Sequence, residues 1–266
     1  LCTKIVSIMT FLFDKPIFGP IHSRRLGVSL GVNLLPTTRK VCSFDCLYCE
    51  CGSLHSELNT LSELPSRELI RSCLHDKLKT MTDNNMLPDV ITFAGNGEPT
   101  LHPDFKYIID DTIALRDEFA PNAKVAILSN ATQLHREDVI NALKKVNDCI
   151  LKIDAGDEET IKMLDQPNGD YSLNSTINNI TKIGSNLVIQ TMFVKWRLND
   201  KEYDNADDKH VKQWLDVIKR INPPRVMIYT IDRDTPLQTM WKTPKERLDE
   251  IATLAKMFVP SVSISY

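Results

Sequence analysis

The stretch Asp89–Thr100, "DVITFAGNGEPT", runs from an apolar, β-branched segment directly into a glycine-rich turn. Its apolar half lacks the polar alternation of a half-exposed strand and reads as a strand buried on both faces. Runs of the same kind recur along the chain: "GVSLGVNLL" (27–35), "KVAILS" (124–129), "DCILKID" (148–154), "NLVIQTMFVK" (186–195) and "RVMIYTI" (225–231). Most of the intervening segments have a helical period. Val211, Trp214, Leu215, Ile218 and Ile221 recur every three or four positions, and Leu69, Ile70, Cys73 and Leu74 read as one apolar helix face. Near the C-terminus, Thr243, Pro244 and Glu246 predict an N-cap, a first-turn proline and a capping-box acid. Leu248, Ile251, Ala252 and Ala255 then form the buried stripe.

Strand–helix repeats of this kind imply an α/β protein with a parallel sheet and right-handed crossovers. Six clear strands are too few for a closed eight-stranded barrel. The choices are an open, partial barrel and a doubly wound sheet, and both place chemistry at the C-terminal ends of the strands. Polar and glycine-rich stretches do follow the apolar runs: "FAGNGEPT", "LSNAT", "KIDAGD" and "IYTIDRDTP". Four of the seven cysteines, in "VCSFDCLYCECG" (41–52), follow the first run. All these stretches are expected on one rim.

Composition narrows the function. The 266 residues carry 32 Lys and Arg against 35 Asp and Glu, a balance that argues against a partner held mainly through phosphates. No run approaches the roughly 18 apolar residues of a membrane span, so no membrane partner is expected. "IVSIMTFLF" runs into Asp14 with no small-residue cleavage site, so no leader is expected either. A chain of this length needs no disulfide framework, and Cys2, Cys73 and Cys149 lie far apart. A reducing, cytoplasmic setting follows.

Cys42, Cys46 and Cys49 form C-x3-C-x2-C. Three thiolates on a cubane iron–sulfur cluster leave one iron open to chelate a small molecule. Zinc held by the same cysteines with Cys51 or His55 is an alternative, as is Cys51 closing the fourth iron. The spacing, with Tyr48 just before the last cysteine, resembles the signature of radical S-adenosylmethionine (SAM) enzymes. That resemblance implies a partial (β/α)6 TIM-type barrel, a 4Fe-4S cluster on Cys42, Cys46 and Cys49, and SAM on the open iron. It also implies an external electron donor such as flavodoxin or ferredoxin, and release of a 5′-deoxyadenosyl radical.

"AGNGEP" resembles the superfamily's GGE-type motif, in which the backbone approaches the methionyl part of SAM. Gly95, Asn96, Gly97 and Glu98 are thus expected at the cofactor, with Glu98 accepting from the SAM ammonium. Ser129, Asn130 and Asp154, and the backbone at Ile228 and Tyr229, are further cofactor candidates. Lys152 and Asp154 are candidate catalytic groups. Arg24, Arg25 and Arg233 are candidates for a substrate phosphate or carboxylate, and Arg24, Arg25, Arg39 and Lys40 for one small basic patch. From about Pro16 onward the chain resembles the group that includes wyosine-base tRNA synthetases, which implies a single catalytic domain over 16–266 behind an extension over 1–15. Only Cys2 precedes Cys42, whereas the wyosine enzymes hold a second cluster on three further cysteines there. A small-molecule or peptide substrate is therefore expected in preference to tRNA.

Overall fold

A computed structural model describes residues 11–23, 26–53, 64–233 and 235–266. The main sheet has eight strands in the order β1 (Ile17–Ser23), β2 (Gly27–Val32), β3 (Val90–Phe93), β4 (Lys124–Ser129), β5 (Asp148–Lys152), β6 (Leu187–Met192), β9 (Arg225–Tyr229) and β11 (Ser261–Ser265). Only the β1–β2 pair is antiparallel. From β2 onward, spatial order follows chain order with no reversal. A doubly wound sheet would have a switch point, so this topology is that of the open, partial barrel. The six runs read from the sequence supply its central strands. β1 and β11, one at each edge, were not legible because neither is a continuous apolar run.

Alternate side chains of each strand serve two cores. Leu30, Ile91, Ile127, Leu151, Ile189 and Val226 face the helices. Val90, Ala126, Ile150 and Val188 pack together on the concave face, with Leu128 and Met227 against them. The helices are α1 (Arg67–Asp83), α2 (Phe105–Phe119), α3 (Glu137–Leu143), α4 (Glu158–Leu164), α5 (Leu173–Ile180), α6 (Asp208–Ile221) and α7 (Lys245–Lys256). α6 shows why they form where they do. Asp207 accepts from the His210 amide at 2.8 Å, Lys219 and Arg220 complement the last turn, and Asn222 ends the helix in the left-handed conformation.

Three local expectations are corrected. Leu69 lies off the buried face of α1 and is exposed, while Ile70 and Leu74 are buried. α7 begins at Lys245 with Pro244 at the cap position. The Thr243 hydroxyl makes no capping bond, because Thr243 is tied by its amide to Thr230 Oγ1 at 3.0 Å. The run 186–195 divides at Phe193, and β7 (Val194–Leu198) leaves the barrel to pair with β8 (Lys201–Asp204) and β10 (Met240–Lys242) in a small antiparallel sheet.

Side chains satisfy the backbone where the strand departs. Asp154 Oδ1 accepts from the Met192 amide at 2.9 Å and Asn205 Oδ1 from the Val194 amide at 2.7 Å. Asn205 Nδ2 donates to the carbonyls of Asp154 and Met192. Below this point Thr191 donates to the Ile153 carbonyl at 2.6 Å and accepts from Trp214 Nε1 at 2.9 Å, joining β5, β6 and α6. Thr191→Val keeps the shape but leaves the buried indole N–H unpaired. It should lower unfolding free energy by about 1–3 kcal/mol in urea titrations, with Thr191→Ser nearer wild type.

Candidate active site

The cysteine loop is laid across the C-terminal rim and fixed on both sides. At the β3 end, the Val41 amide donates to Asn96 O at 2.9 Å and the Glu98 amide to Val41 O at 3.0 Å. Gly97 has φ +139°, and a Cβ there would lie 1.8 Å from the Val41 carbonyl oxygen. Only glycine allows this approach. Beyond β5, the Leu47 amide donates to Leu164 O at 2.9 Å and the Asn168 amide to Ser43 O at 2.8 Å, while Phe44 bridges to Pro167. Within the loop, the Cys49 amide donates to Cys46 O and the Gly52 amide to Cys49 O.

Cys42, Cys46, Cys49 and Cys51 are all free and partly exposed. Cys42 Sγ accepts from the Phe44 amide at 3.4 Å and from Asn130 Nδ2 at 3.7 Å. The Cys51 thiol donates to the Gly95 carbonyl at 3.4 Å, and burial pushes the Cys42 thiol up to about 12. Among the described residues no three His, Cys, Asp or Glu side chains close around a point as one metal ion requires. A cubane asks for one thiolate per iron corner instead. Three thiols on one rim loop, with N–H donors already directed at sulfur, suit that demand.

Glu98 lies beneath the rim. It is 2 % exposed and turned inward. One carboxylate oxygen accepts from the Thr100 amide, the Thr100 hydroxyl and Ser129 Oγ, and the other from the Asn130 amide at 2.7 Å. Burial raises its pKa, with these four bonds opposing. Its oxygens bind the β3 and β4 ends of the rim together. Asn96 is likewise internal: its side chain binds the Phe13 backbone through both polar atoms and the Pro36 carbonyl. Ser129 and Asn130 stand beside the cysteine loop, with Asn130 Nδ2 also donating to Ser43 Oγ at 2.8 Å.

Deeper in the barrel, Lys152 contacts Asp154, Asp165 and the Tyr48 hydroxyl, and Tyr48 also donates to Asp154. Burial alone would lower the Lys152 pKa, but the two carboxylates outweigh it and the ammonium is held charged. The four groups join the last residues of β5 to the cysteine loop and to the C-terminal end of α4. Gln190 pairs in register with Lys152 on the concave face, and its Nε2 is buried with no partner among the described residues. Sequence reading missed both Gln190 and Asp165. The polar Gln190 in an otherwise apolar run was the available signal; Asp165 had none.

The remaining candidates are dispersed. Ile228 points its side chain into the helix-facing core, leaving only its backbone for contact, and Tyr229 stands on the concave face near Leu47 and Tyr48. Arg233 donates to Glu50 at 2.8 Å. Arg24 and Arg25 lie outside the described residues, as does His55. Lys40 does not belong to a surface patch, because it is 4 % exposed.

Two measurements test this geometry. Lys152→Met leaves buried carboxylates without their cation and should cost about 3–5 kcal/mol of stability. Burial pushes the Asp165 carboxyl up to about 7, against the pull of Lys152, from an unfolded value of 3.8. The folded state therefore keeps a proton that the unfolded chain releases, and this stabilisation is lost as pH rises from about 4 through 7. Asp165→Asn should flatten stability against pH across that window.

Comparison with known proteins follows the same lines. The family model of the radical SAM superfamily matches residues 38–209, more than half of the chain. A UPF0026 protein of Helicobacter pylori is 31% identical over 248 residues, covering 91% of this chain and 73% of its own length. A Brachyspira hyodysenteriae protein named GTPase Obg is 31% identical over 224 residues, 84% of this chain; the chain spans only 31% of that relative's length. Among solved structures, a radical SAM methyltransferase from Sphaerobacter thermophilus superposes with TM-score 0.63 at 11% identity, over 89% of this chain and 66% of its own. TYW1 with a lysine-pyruvate adduct bound gives TM-score 0.58 at 12% identity, over 87% and 74%. At such identities the structures speak for the fold alone. The matched segment holds the whole cysteine loop and the rim residues packed against it, and the chain belongs to the radical SAM superfamily as one of its enzymes.

Proposed function

We propose that Cys42, Cys46 and Cys49 hold a 4Fe-4S cluster whose fourth iron takes SAM, and that the enzyme modifies a small-molecule or peptide substrate. The observation that carries this reading is the C-x3-C-x2-C loop pinned along Gly97 at the strand ends, with sulfur-directed N–H donors in place. The chemistry such a cluster supplies is one-electron cleavage of SAM to methionine and a 5′-deoxyadenosyl radical, with the electron drawn from a donor such as flavodoxin or ferredoxin.

This chain's own residues bind and orient. The Gly95–Gly97 backbone gives a side-chain-free edge for the methionyl part, and Glu98 holds that edge rigid from beneath through Ser129 and Asn130. Tyr48, next to the last cysteine in the chain, is fixed by Asp154 and Lys152 and anchors that end of the loop. The Gln190 amide, buried without a partner, offers the substrate a donor from the concave face. The charge balance favours a small substrate over a polynucleotide, and burial removes Lys40 from the basic groups that tRNA would need.

Anaerobic reconstitution with iron and sulfide counting tests the ligands. Alanine at Cys42, Cys46 or Cys49 should abolish the cluster, and Cys51→Ala should keep it; a cluster lost with Cys51 but kept without one of the three refutes the assignment. With dithionite, the wild-type protein should cleave SAM slowly to 5′-deoxyadenosine without substrate. Total tRNA should bind weakly at physiological ionic strength and leave that rate unchanged; tight binding with a steep salt slope would restore the tRNA reading.

A further inference from the structure

Lys40 stands two residues before Cys42 in the cysteine loop and is almost wholly buried. An ammonium has three N–H donors and must place them when it leaves water. One goes to Asp45 Oδ1 at 2.9 Å and one to the Gly52 carbonyl at 2.9 Å, so the lysine clasps the two sides of the cysteine turn. The chain from Lys40 to Gly52 carries Cys42, Cys46 and Cys49, so the ammonium sits at the neck of the loop that presents the three thiols. The two charges of the Lys40–Asp45 pair are not equally screened: the lysine side chain is 2% exposed and the aspartate 25%. Solvent weakens the field of the carboxylate more than that of the ammonium, which leaves a net positive field at the sulfurs.

We propose that Lys40 sets the reduction potential of the cluster: its ammonium, buried at the neck of the cysteine loop, places a positive charge close to the thiolates. The inference rests on the cluster reading above. Reduction adds one electron and forms or breaks no bond, so the negative charge on the cluster and its thiolates grows by one. A buried cation stabilises that added charge, raising the potential and easing electron entry from a mild donor. Lys40 acts through the field it places at the thiolates and touches neither SAM nor substrate. Neither SAM nor substrate is needed for the effect.

The test is potentiometric titration of the reconstituted protein with dithionite, followed by electron paramagnetic resonance in the absence of SAM. Lys40→Met should move the midpoint to more negative potential, Lys40→Arg should stay near wild type, and Asp45→Asn should move it to less negative potential by uncovering the ammonium. A purely structural clasp would loosen alike in Lys40→Met and Asp45→Asn, giving shifts of one sign or none, and either result overturns the proposal. Should Lys40→Met fail to hold a cluster, the direction of the Asp45→Asn shift decides alone. If the wild-type protein takes up no 4Fe-4S cluster, the functional reading fails and this inference with it; a wild-type cluster whose potential ignores both substitutions overturns only the inference.

Discussion

The rim of this barrel depends on the close approach of the Val41 carbonyl to the backbone at Gly97. Two amide–carbonyl bonds cross there, and no residue with a Cβ fits. The pairing extends the β3 end by one more piece of backbone and thereby aims the cysteine loop. Glu98 follows at once and ties the same edge to Ser129 and Asn130 beyond β4. Asn130 returns to the loop at Cys42 and Ser43. Cysteine loop, glycine turn and the β4 end thus form one closed circuit of hydrogen bonds, none of which depends on an exposed side chain.

The sequence was most legible where one physical rule acted alone. Continuous apolar runs marked the six central strands because burial on both faces admits little else. The cysteine spacing marked the loop because few structures need three thiols so close together. Legibility failed where tertiary contacts decided. Phe193 ends β6 because Asp154 and Asn205 capture the backbone on either side of it, and nothing in "QTMFVK" shows those partners. β8 is polar and short, and its only local sign is the turn at Asn199 and Asp200, both with positive φ. Glu98 illustrates a subtler limit: a motif places a residue at a site without saying which way its carboxylate faces. Lys40 shows the same for charge, since a lysine next to Arg39 reads as surface until its burial is seen.

Polar groups recur along the concave face of the barrel. At its lower end Val90, Ala126, Ile150 and Val188 pack beside the Ser29–Thr92 hydroxyl pair and the Arg225–Asp148 ion pair. Nearer the rim come Gln190 and the Lys152 network. The thiols lie at the top.

An open sheet has no closing ladder of hydrogen bonds to set its curvature, and β1 and β11 stand as free edges. The cysteine loop spans from the end of β2 to the far side of α4, attached at Gly97 near one end and at Leu164 and Asn168 near the other. In mechanical terms it is a chord drawn across the arc of four strands. Its length fixes the radius of that arc, so strand-end separation and thiol separation become a single dimension of the molecule.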